Sequence, residues 1–357
     1  MKKETLCDAI GMIDDHFLIE AEAFRTKARR PRWVRLIMPL AAVFCLLLLT
    51  LLPPADEPRM MLQIDPAAFE GSGAEILLAK DAEELRSESP WHPDMAIDTL
   101  PVYRNTAYAG NDMNIAEMKQ VLREGAARLG LDGLTIHEEP DSGRVYIHGE
   151  GMELEVDADL TLTIFFEPAI SLPDDLPFTY TASYEKCLHI ANFLKTHYAK
   201  LIGMDDPQTM ISGGDRFIDG SQHYQIALYE KGSTDSDTLL NQQFRSASFH
   251  CDDEGKLWII RIHAPDLSQH CGDYPIISVQ EAEALLKEGT YLSNVPYDIG
   301  GESQIAKVDL VYRHGQFDRY FMPYYRFLID IGKDGDMRQY GAFYVPAVAS
   351  EYIETAG

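Results

Sequence analysis

The sequence predicts an α+β fold in which an N-terminal transmembrane helix is followed by repeated helix-plus-antiparallel-sheet units. Three observations predict this fold: an uncharged apolar run near the N-terminus, three later stretches with helical periodicity and capping residues, and several short alternating segments after each of them. A helix that covers one face of an antiparallel sheet buries the apolar sides of both elements.

Residues 1–35 are predicted to form a cytoplasmic amphipathic helix and a basic flank. Apolar residues recur at steps of three and four over residues 4–25, which is the period of a helix with one apolar stripe. An isolated helix of this length is marginal in water, so its stripe needs a cover. We expect either a protein partner, or contact with the membrane surface or with a second copy. The side chains predicted to bind a partner are Leu6, Ile10, Ile13, Phe17 and Phe24.

Residues 36–52 are predicted to form the transmembrane helix. The run Leu36–Leu52 has no charged side chain, and at about 1.5 Å per residue it approaches the roughly 30 Å of a bilayer core. Basic residues and no acidic residue lie between Arg25 and Arg35, so the positive-inside rule keeps the N-terminus in the cytoplasm. The sequence thus predicts a single-pass protein of the cell membrane with an extracytoplasmic C-terminal domain. A cleaved signal peptide and a buried core helix are the alternatives.

The predicted outer region has a stalk and three α+β units. Residues 53–110 have little periodicity apart from a short helical stretch near Glu75–Arg86, and they are predicted to be a stalk and lead-in segment. The units are predicted at residues 111–170, 171–268 and 269–357. Each opens with a helix that has a capping residue at its start and a glycine just after its end: about Asn114–Leu129, Ser183–Ile202 and Ser278–Glu288.

Two parts of the sequence resemble known families. The N-terminus reads DAIGMIDDHFLIEAEAFR before the basic run and the single span, and it resembles anti-sigma-factor-like single-pass membrane proteins of Gram-positive bacteria. This resemblance implies a cytoplasmic sigma factor as partner, although the His-x3-Cys-x2-Cys motif of the zinc-containing anti-sigma domain is absent. The last unit carries DLVYRHGQFDRYFMPYYRFLIDI and YGAFYVPAV, which resemble the paired terminal strands of PepSY-type and YycH/YycI-type modules. Such modules contact other proteins, which implies an extracytoplasmic protein or peptide as a second partner.

One face of the predicted strand Tyr320–Ile331 is a candidate binding surface. The opposite face is apolar and is expected to pack against the third helix. Packing of the candidate face against a neighbouring sheet is the alternative. Tyr and Arg are enriched at protein interfaces, and the candidate face carries Tyr320, Met322, Tyr324 and Arg326.

Composition and motifs argue against nucleic-acid binding and catalysis. The 357 residues include 31 Lys and Arg against 57 Asp and Glu, and a net charge of -26 repels a polyanion. Nucleophile elbows, P-loops and dinucleotide-binding glycine motifs are absent from the sequence, so neither a catalytic residue nor a cofactor is predicted, and the protein is not expected to be an enzyme.

Histidine and cysteine residues give no metal-binding motif. His250, Cys251, His263, His270 and Cys271 lie near each other in the sequence, yet no C-x-x-C or H-E-x-x-H pair occurs, and no metal ligand is predicted. Cys251 and Cys271 either form a disulfide or stay free thiols. Calcium binding by the acidic turns is a further open alternative.

Together these features predict a non-enzymatic, membrane-anchored regulatory or sensor protein that couples an extracytoplasmic contact to a cytoplasmic partner. The alternative is a passive anchored envelope ectodomain with a structural or ligand-binding role.

Overall fold

The computed structural model describes residues 59–66, 74–109, 111–131, 133–139, 142–217, 219–299 and 304–355. The chain divides into two units, residues 1–58 and 59–357, and all described residues belong to the second. The predicted cytoplasmic helix at residues 1–35 and the predicted span at residues 36–52 therefore lie outside the described part of the chain.

None of the helices in these described ranges is long and apolar enough to cross a membrane. This finding corrects the predicted localisation, a single-pass protein of the cell membrane with its N-terminus in the cytoplasm and its C-terminal domain outside. The longest of these helices, Tyr184–Ile202, has 19 residues, but charged side chains such as Glu185, Lys195 and Lys200 interrupt its apolar residues.

The described chain forms four α-helices and eighteen β-strands. The helices are α1 (Ile115–Arg128), α2 (Tyr184–Ile202), α3 (Asp235–Phe244) and α4 (Val279–Lys287), and a short 3-10 helix covers Ser350–Tyr352. The first nine strands are β1 (Leu62–Ile64), β2 (Ile76–Ala79), β3 (Arg86–Ser87), β4 (Thr99–Arg104), β5 (His137–Glu139), β6 (Arg144–Gly149), β7 (Met152–Asp157), β8 (Leu162–Ile170) and β9 (Pro207–Arg216). The others are β10 (Gln222–Glu230), β11 (Ser246–Cys251), β12 (Leu257–His263), β13 (His270–Pro275), β14 (Ile305–Tyr312), β15 (Tyr320–Phe321), β16 (Pro323–Asp334), β17 (Met337–Pro346) and β18 (Ile353–Thr355).

Strands dominate the fold, and the predicted α+β class with an N-terminal transmembrane helix and repeated helix-plus-antiparallel-sheet units is wrong. Among the described residues, strands account for 41% and helices for 20%, so the fold is a β-rich one of several sheets. The strands also do not divide into one sheet per helix. Within the short helix predicted at Glu75–Arg86, the chain instead forms β2 and β3, because each pairs with a strand distant in sequence, β17 and β9 respectively.

The larger half of the fold is a nine-stranded antiparallel sheet. Its strand order is β3-β9-β10-β11-β12-β8-β7-β6-β5, so strands of the first two predicted units join in one sheet. Helices α1 and α2 pack on one face of it, where alternate strand residues are apolar. Met118 and Leu122 of α1, for example, belong to the same core as Val145 and Ile147 of β6. The opposite face is left uncovered by these helices.

The smaller half contains a four-stranded sheet of order β14-β16-β17-β2. Helix α4 packs on one face of it, where Ala282 and Leu286 share a core with Phe327 and Phe343. The other face packs against a three-stranded sheet, β13-β4-β15, and the parallel pair of β1 and β18. Both faces of the four-stranded sheet are therefore apolar.

Capping residues place the helices as the sequence predicts. The side chains of Asn114, Ser183 and Ser278 each accept a hydrogen bond from a backbone N–H in the first turn of α1, α2 and α4. The three predicted helices are confirmed to within about one residue at each end. Helix α3, which follows Thr234 and has its own capping box with Asp237, is an addition that the periodicity did not indicate.

Gly214 lets β9 pass close to the segment that leads into β3. Its φ is +89°, and a Cβ atom at this position would lie 2.1 Å from the carbonyl oxygen of Glu84. We expect Gly214→Ala to lower the free energy of unfolding by about 3 kcal/mol, because the backbone conformation and the overlap both oppose a side chain. Gly335→Ala is the matched control, since Gly335 also has a positive φ but has nothing within 4 Å of such a Cβ atom. Urea titrations of both variants measure the difference, and equal losses would show that the close approach adds no cost.

Candidate functional site

A cleft of about 660 Å³ lies between the nine-stranded sheet and the four-stranded sheet. This volume is in the range of small-molecule binding sites. The wall formed by β3, β9, α3 and β11 presents hydroxyl and carboxamide groups, from Ser87, Ser212, Gln242, Gln243 and Ser246. The wall formed by β14, β16 and β17 presents Tyr312, Arg313, His314, Arg326 and Tyr344.

Arg326 is held in the cleft by two carboxylates. Strand pairing places it directly opposite Asp309, and its Nη2 atom lies 2.9 Å from Asp309 Oδ2 while Nη1 lies 3.1 Å from Glu75 Oε1. Asp309 is only 7% exposed. Burial alone would lower the pKa of Arg326, but attraction by Asp309 and Glu75 outweighs it, so the pKa of Arg326 is raised. The guanidinium is thus a permanently charged, fixed part of the wall.

Arg313, which follows β14, is held by a second buried carboxylate. Its Nε atom lies 3.3 Å from Asp318 Oδ1, and its guanidinium lies 5.2 Å from the ring centroid of Tyr344. Burial raises the pKa of the Asp318 carboxyl, although Arg313 opposes this shift. The positive charge of Arg313 is therefore neutralised within the wall.

His263 and His314 meet at the junction of the two halves. Their ring centroids are 4.8 Å apart, and His263 Nδ1 lies 3.2 Å from Thr161 Oγ1. Burial lowers the pKa of both, and His263 lowers the pKa of His314 further, to about 3. Both imidazoles are consequently neutral near pH 7, and each can donate or accept one hydrogen bond per ring nitrogen according to its tautomer.

Three buried nitrogen atoms of the cleft residues have no hydrogen-bond partner among the described residues: His263 Nε2, His314 Nε2 and Arg326 Nε. Buried polar atoms in native proteins are nearly always paired with protein or with ordered solvent. All three atoms belong to residues that line the cleft.

Gln243 lines the cleft and connects helix α3 to strand β14. Strand β14 is an edge strand, and its Tyr312 N–H donates a 3.0 Å hydrogen bond to Gln243 Oε1 of helix α3. The Gln243 carboxamide in turn donates to Gln242 Oε1. The carboxamide therefore satisfies the strand edge and ties the two walls together.

The residues that the sequence singled out as partner-binding fall into three groups. Residues 6, 10, 13, 17 and 24 lie outside the described chain. Tyr320, Met322 and Tyr324 are 8%, 1% and 3% exposed and belong to a hydrophobic core, so they offer no surface to a partner. Tyr320 lies in β15 of the three-stranded sheet and Tyr324 in β16 of the four-stranded sheet, and both side chains and that of Met322 pack in one core that the two sheets share. Arg326 is the member of this set that lines the cleft.

The described cysteines, Cys187, Cys251 and Cys271, are free thiols. Burial raises the pKa of Cys187 and of Cys251 to about 11, so both are protonated near pH 7. Nowhere among the described residues are three His, Cys, Asp or Glu side chains grouped closely enough to hold a metal ion.

Sequence reasoning missed most of the cleft. Its residues come from nine separate stretches of chain between Glu75 and Tyr344, and only the pairing of distant strands brings them together. Isolated serines and glutamines carry no local signal of function. The pair His263 and His314 had a partial signal, since His263 is the last residue of β12 and His314 lies two residues after β14, and site residues often lie where strands end.

Comparisons with known proteins give the chain no family. No family model and no curated protein matches it. A solved structure described as an uncharacterized protein from Eubacterium rectale ATCC 33656 is similar to it at 9% sequence identity and a TM-score of 0.35, over 71% of this chain and 84% of that chain.

Proposed function

We propose that this protein is a non-enzymatic binding protein whose cleft takes a small, uncharged, polyhydroxylated ligand of the saccharide class. The observation that carries the proposal is the set of three buried nitrogen atoms of His263, His314 and Arg326 that have no hydrogen-bond partner in the part of the chain that the structure describes. Leaving such a group unpaired costs about 1 to 3 kcal/mol, and a ligand oxygen would remove that cost.

The chemistry of the walls favours an uncharged ligand. The two guanidinium groups of the cleft are offset by the carboxylates of Glu75, Asp309 and Asp318, so the walls offer no excess positive charge to an anion. Serine hydroxyls and glutamine and asparagine carboxamides both donate and accept hydrogen bonds. Sugar hydroxyls do the same, and they match this lining better than a carboxylate or an ammonium does.

A ligand in the cleft would contact both halves of the fold. Its hydroxyls would reach the serine-rich wall of the nine-stranded sheet and the Arg326 wall of the four-stranded sheet together. Such a ligand stabilises the arrangement in which both walls contact it. We propose on this basis that occupancy of the cleft is the signal of a sensor or regulatory protein.

Calorimetric titration of the full-length protein tests the proposal. The probes are glucose, galactose, mannose, N-acetylglucosamine and the disaccharides maltose, cellobiose, lactose and chitobiose. Glucuronate and glucosamine are the charged counterparts of glucose and N-acetylglucosamine. We expect saturable binding of at least one neutral sugar and about tenfold weaker binding of its charged counterpart, because a buried unpaired charge is costly.

His314→Phe tests whether the cleft is the site. Phenylalanine keeps the ring between Phe244 and Phe321 and removes both nitrogens, so sugar binding should weaken about tenfold while the fold is kept. His197→Phe, on the exposed side of α2, is the control and should bind as the wild type does. Absence of sugar binding, or equal binding by the two variants, would contradict the proposal.

A further inference from the structure

A second cavity, of about 280 Å³, lies away from the His263 and His314 junction, beside β9, β10 and the end of β11. We call it the aromatic pocket. The residues that line it include Tyr180, Phe217, His223, Tyr224 and Asp215. Phe217 is 50% exposed and Tyr180 is 44% exposed, although large aromatic side chains gain most from burial. Exposed aromatic groups that converge on one cavity are typical of a binding site.

The rings of Phe217, His223 and Tyr180 are neighbours in the aromatic pocket. The centroid of the His223 ring is 3.8 Å from that of Phe217 and 6.2 Å from that of Tyr180. The Tyr180 ring is nearly parallel to it, at an interplanar angle of 17°. Tyr180 is fixed there by a 2.5 Å hydrogen bond from its hydroxyl to the carbonyl oxygen of Cys251. The rings are therefore positioned before any ligand arrives.

The charges around the aromatic pocket favour a cation. Asp215 is the acidic residue of the lining, and neither Lys nor Arg belongs to the described lining. The pKa of Tyr180 is raised by burial and then by the negative charges of neighbours that include Asp253 and Asp252. The carboxylates near this pocket thus create a negative potential, in a chain whose net charge is -26.

We propose that the aromatic pocket binds a small organic ammonium ion, held by the faces of Tyr180, Phe217 and Tyr224 and by the carboxylate of Asp215. The negative face of an aromatic ring attracts a cation, and aromatic-lined pockets recognise quaternary ammonium groups in this way. When the substituents on the nitrogen are methyl groups, the ammonium ion has no N–H donors and needs no hydrogen-bond acceptors around it. A cavity of this size accommodates a trimethylammonium group together with a short tail.

Choline chloride is the probe, and 3,3-dimethylbutan-1-ol is its uncharged isostere with carbon in place of nitrogen. Ligand-detected NMR titration of the full-length protein measures the dissociation constant of each. We expect choline to bind about tenfold more tightly than the isostere, since a partly desolvated cation–π contact contributes about that much. Equal dissociation constants, or no saturable binding of choline, would overturn the proposal.

Two variants locate the site. Phe217→Leu keeps apolar bulk and removes the ring, and Asp215→Asn removes the charge, so each should weaken choline binding about five- to tenfold. Phe317→Leu is the matched control, because Phe317 is 45% exposed in another part of the fold and does not belong to this lining. Choline binding that is unchanged in Phe217→Leu, or equally weakened in Phe317→Leu, would show that the aromatic pocket is not the site. Neither outcome bears on the sugar titrations, which concern the cleft.

Discussion

Arg326→Leu is expected to lower the free energy of unfolding by about 3 to 5 kcal/mol, the usual cost of removing one member of a buried ion pair. The cost arises because Asp309 stays behind, buried at 7% exposure and directly opposite residue 326 on the neighbouring strand, with its charge unpaired. Glu75 loses its ion-pair partner as well and keeps the hydrogen bond from the Tyr344 hydroxyl. Leucine fills much of the volume but supplies no hydrogen bond.

Urea titrations at pH 7 measure this loss against a matched control. Arg338→Leu removes another arginine of the same sheet that pairs with a carboxylate across two strands. The Arg338 side chain is 43% exposed in its ion pair with Asp330, so its loss should lower the free energy of unfolding by only about 0.5 kcal/mol. Adding Asp309→Asn to Arg326→Leu should recover part of the loss, because the uncompensated charge disappears. A loss in Arg326→Leu no larger than that in Arg338→Leu would show that the buried pair does not stabilise the fold.

The helices of this fold could be predicted because their signals are local. Asn114, Ser183 and Ser278 lie at their capping positions, and the apolar spacing that follows each of them is the period of a helix. A capping side chain bonds to a backbone group only three residues away, so the sequence contains the whole interaction. The same reasoning missed α3, whose apolar periodicity is weak.

The sheets could not be predicted because their partners are distant. Strand β2 at Ile76–Ala79 is a strand because β17, about 260 residues later, supplies its hydrogen bonds. The predicted strand Tyr320–Ile331 is two strands in two different sheets, β15 and β16, and the residues of its predicted outer face lie in a core that the two sheets share. Alternation along a strand shows that two faces differ, and it does not show what covers each face.

The candidate site follows the same rule. Arg326 was selected as an interface residue on composition, and it lines the cleft because Asp309 and Glu75 fix it there. Burial of a polar atom without a partner is the feature that identifies His263 and His314, and burial depends on the complete fold. A sequence without the fold contains no record of such an unpaired atom.

The unusual environment of His314 makes the stability of the fold depend on pH. Its ring contacts Phe244, Phe321 and His263, and burial followed by the proximity of His263 lowers its pKa from 6.5 to about 3. Between these two pH values the unfolded chain binds a proton at this residue and the folded chain does not. The stability that comes from keeping His314 neutral is therefore fully present above pH 6.5, and it is lost as the pH falls toward 3.

We expect His314→Phe to remove this loss, which amounts to something on the order of 5 kcal/mol over the full interval. Urea titrations of wild type and variant at half-unit steps of pH measure it as a difference, in which the carboxylates common to both proteins cancel. The difference in the free energy of unfolding between variant and wild type should be constant above pH 6.5. At lower pH it should change in favour of the variant. His263, whose pKa burial also lowers, remains in the variant and leaves part of the acid sensitivity in place. His197→Phe should follow the wild-type curve at every pH, because its ring is exposed on α2. Parallel curves for wild type and His314→Phe would mean that His314 takes up its proton in the folded protein as readily as in the unfolded chain.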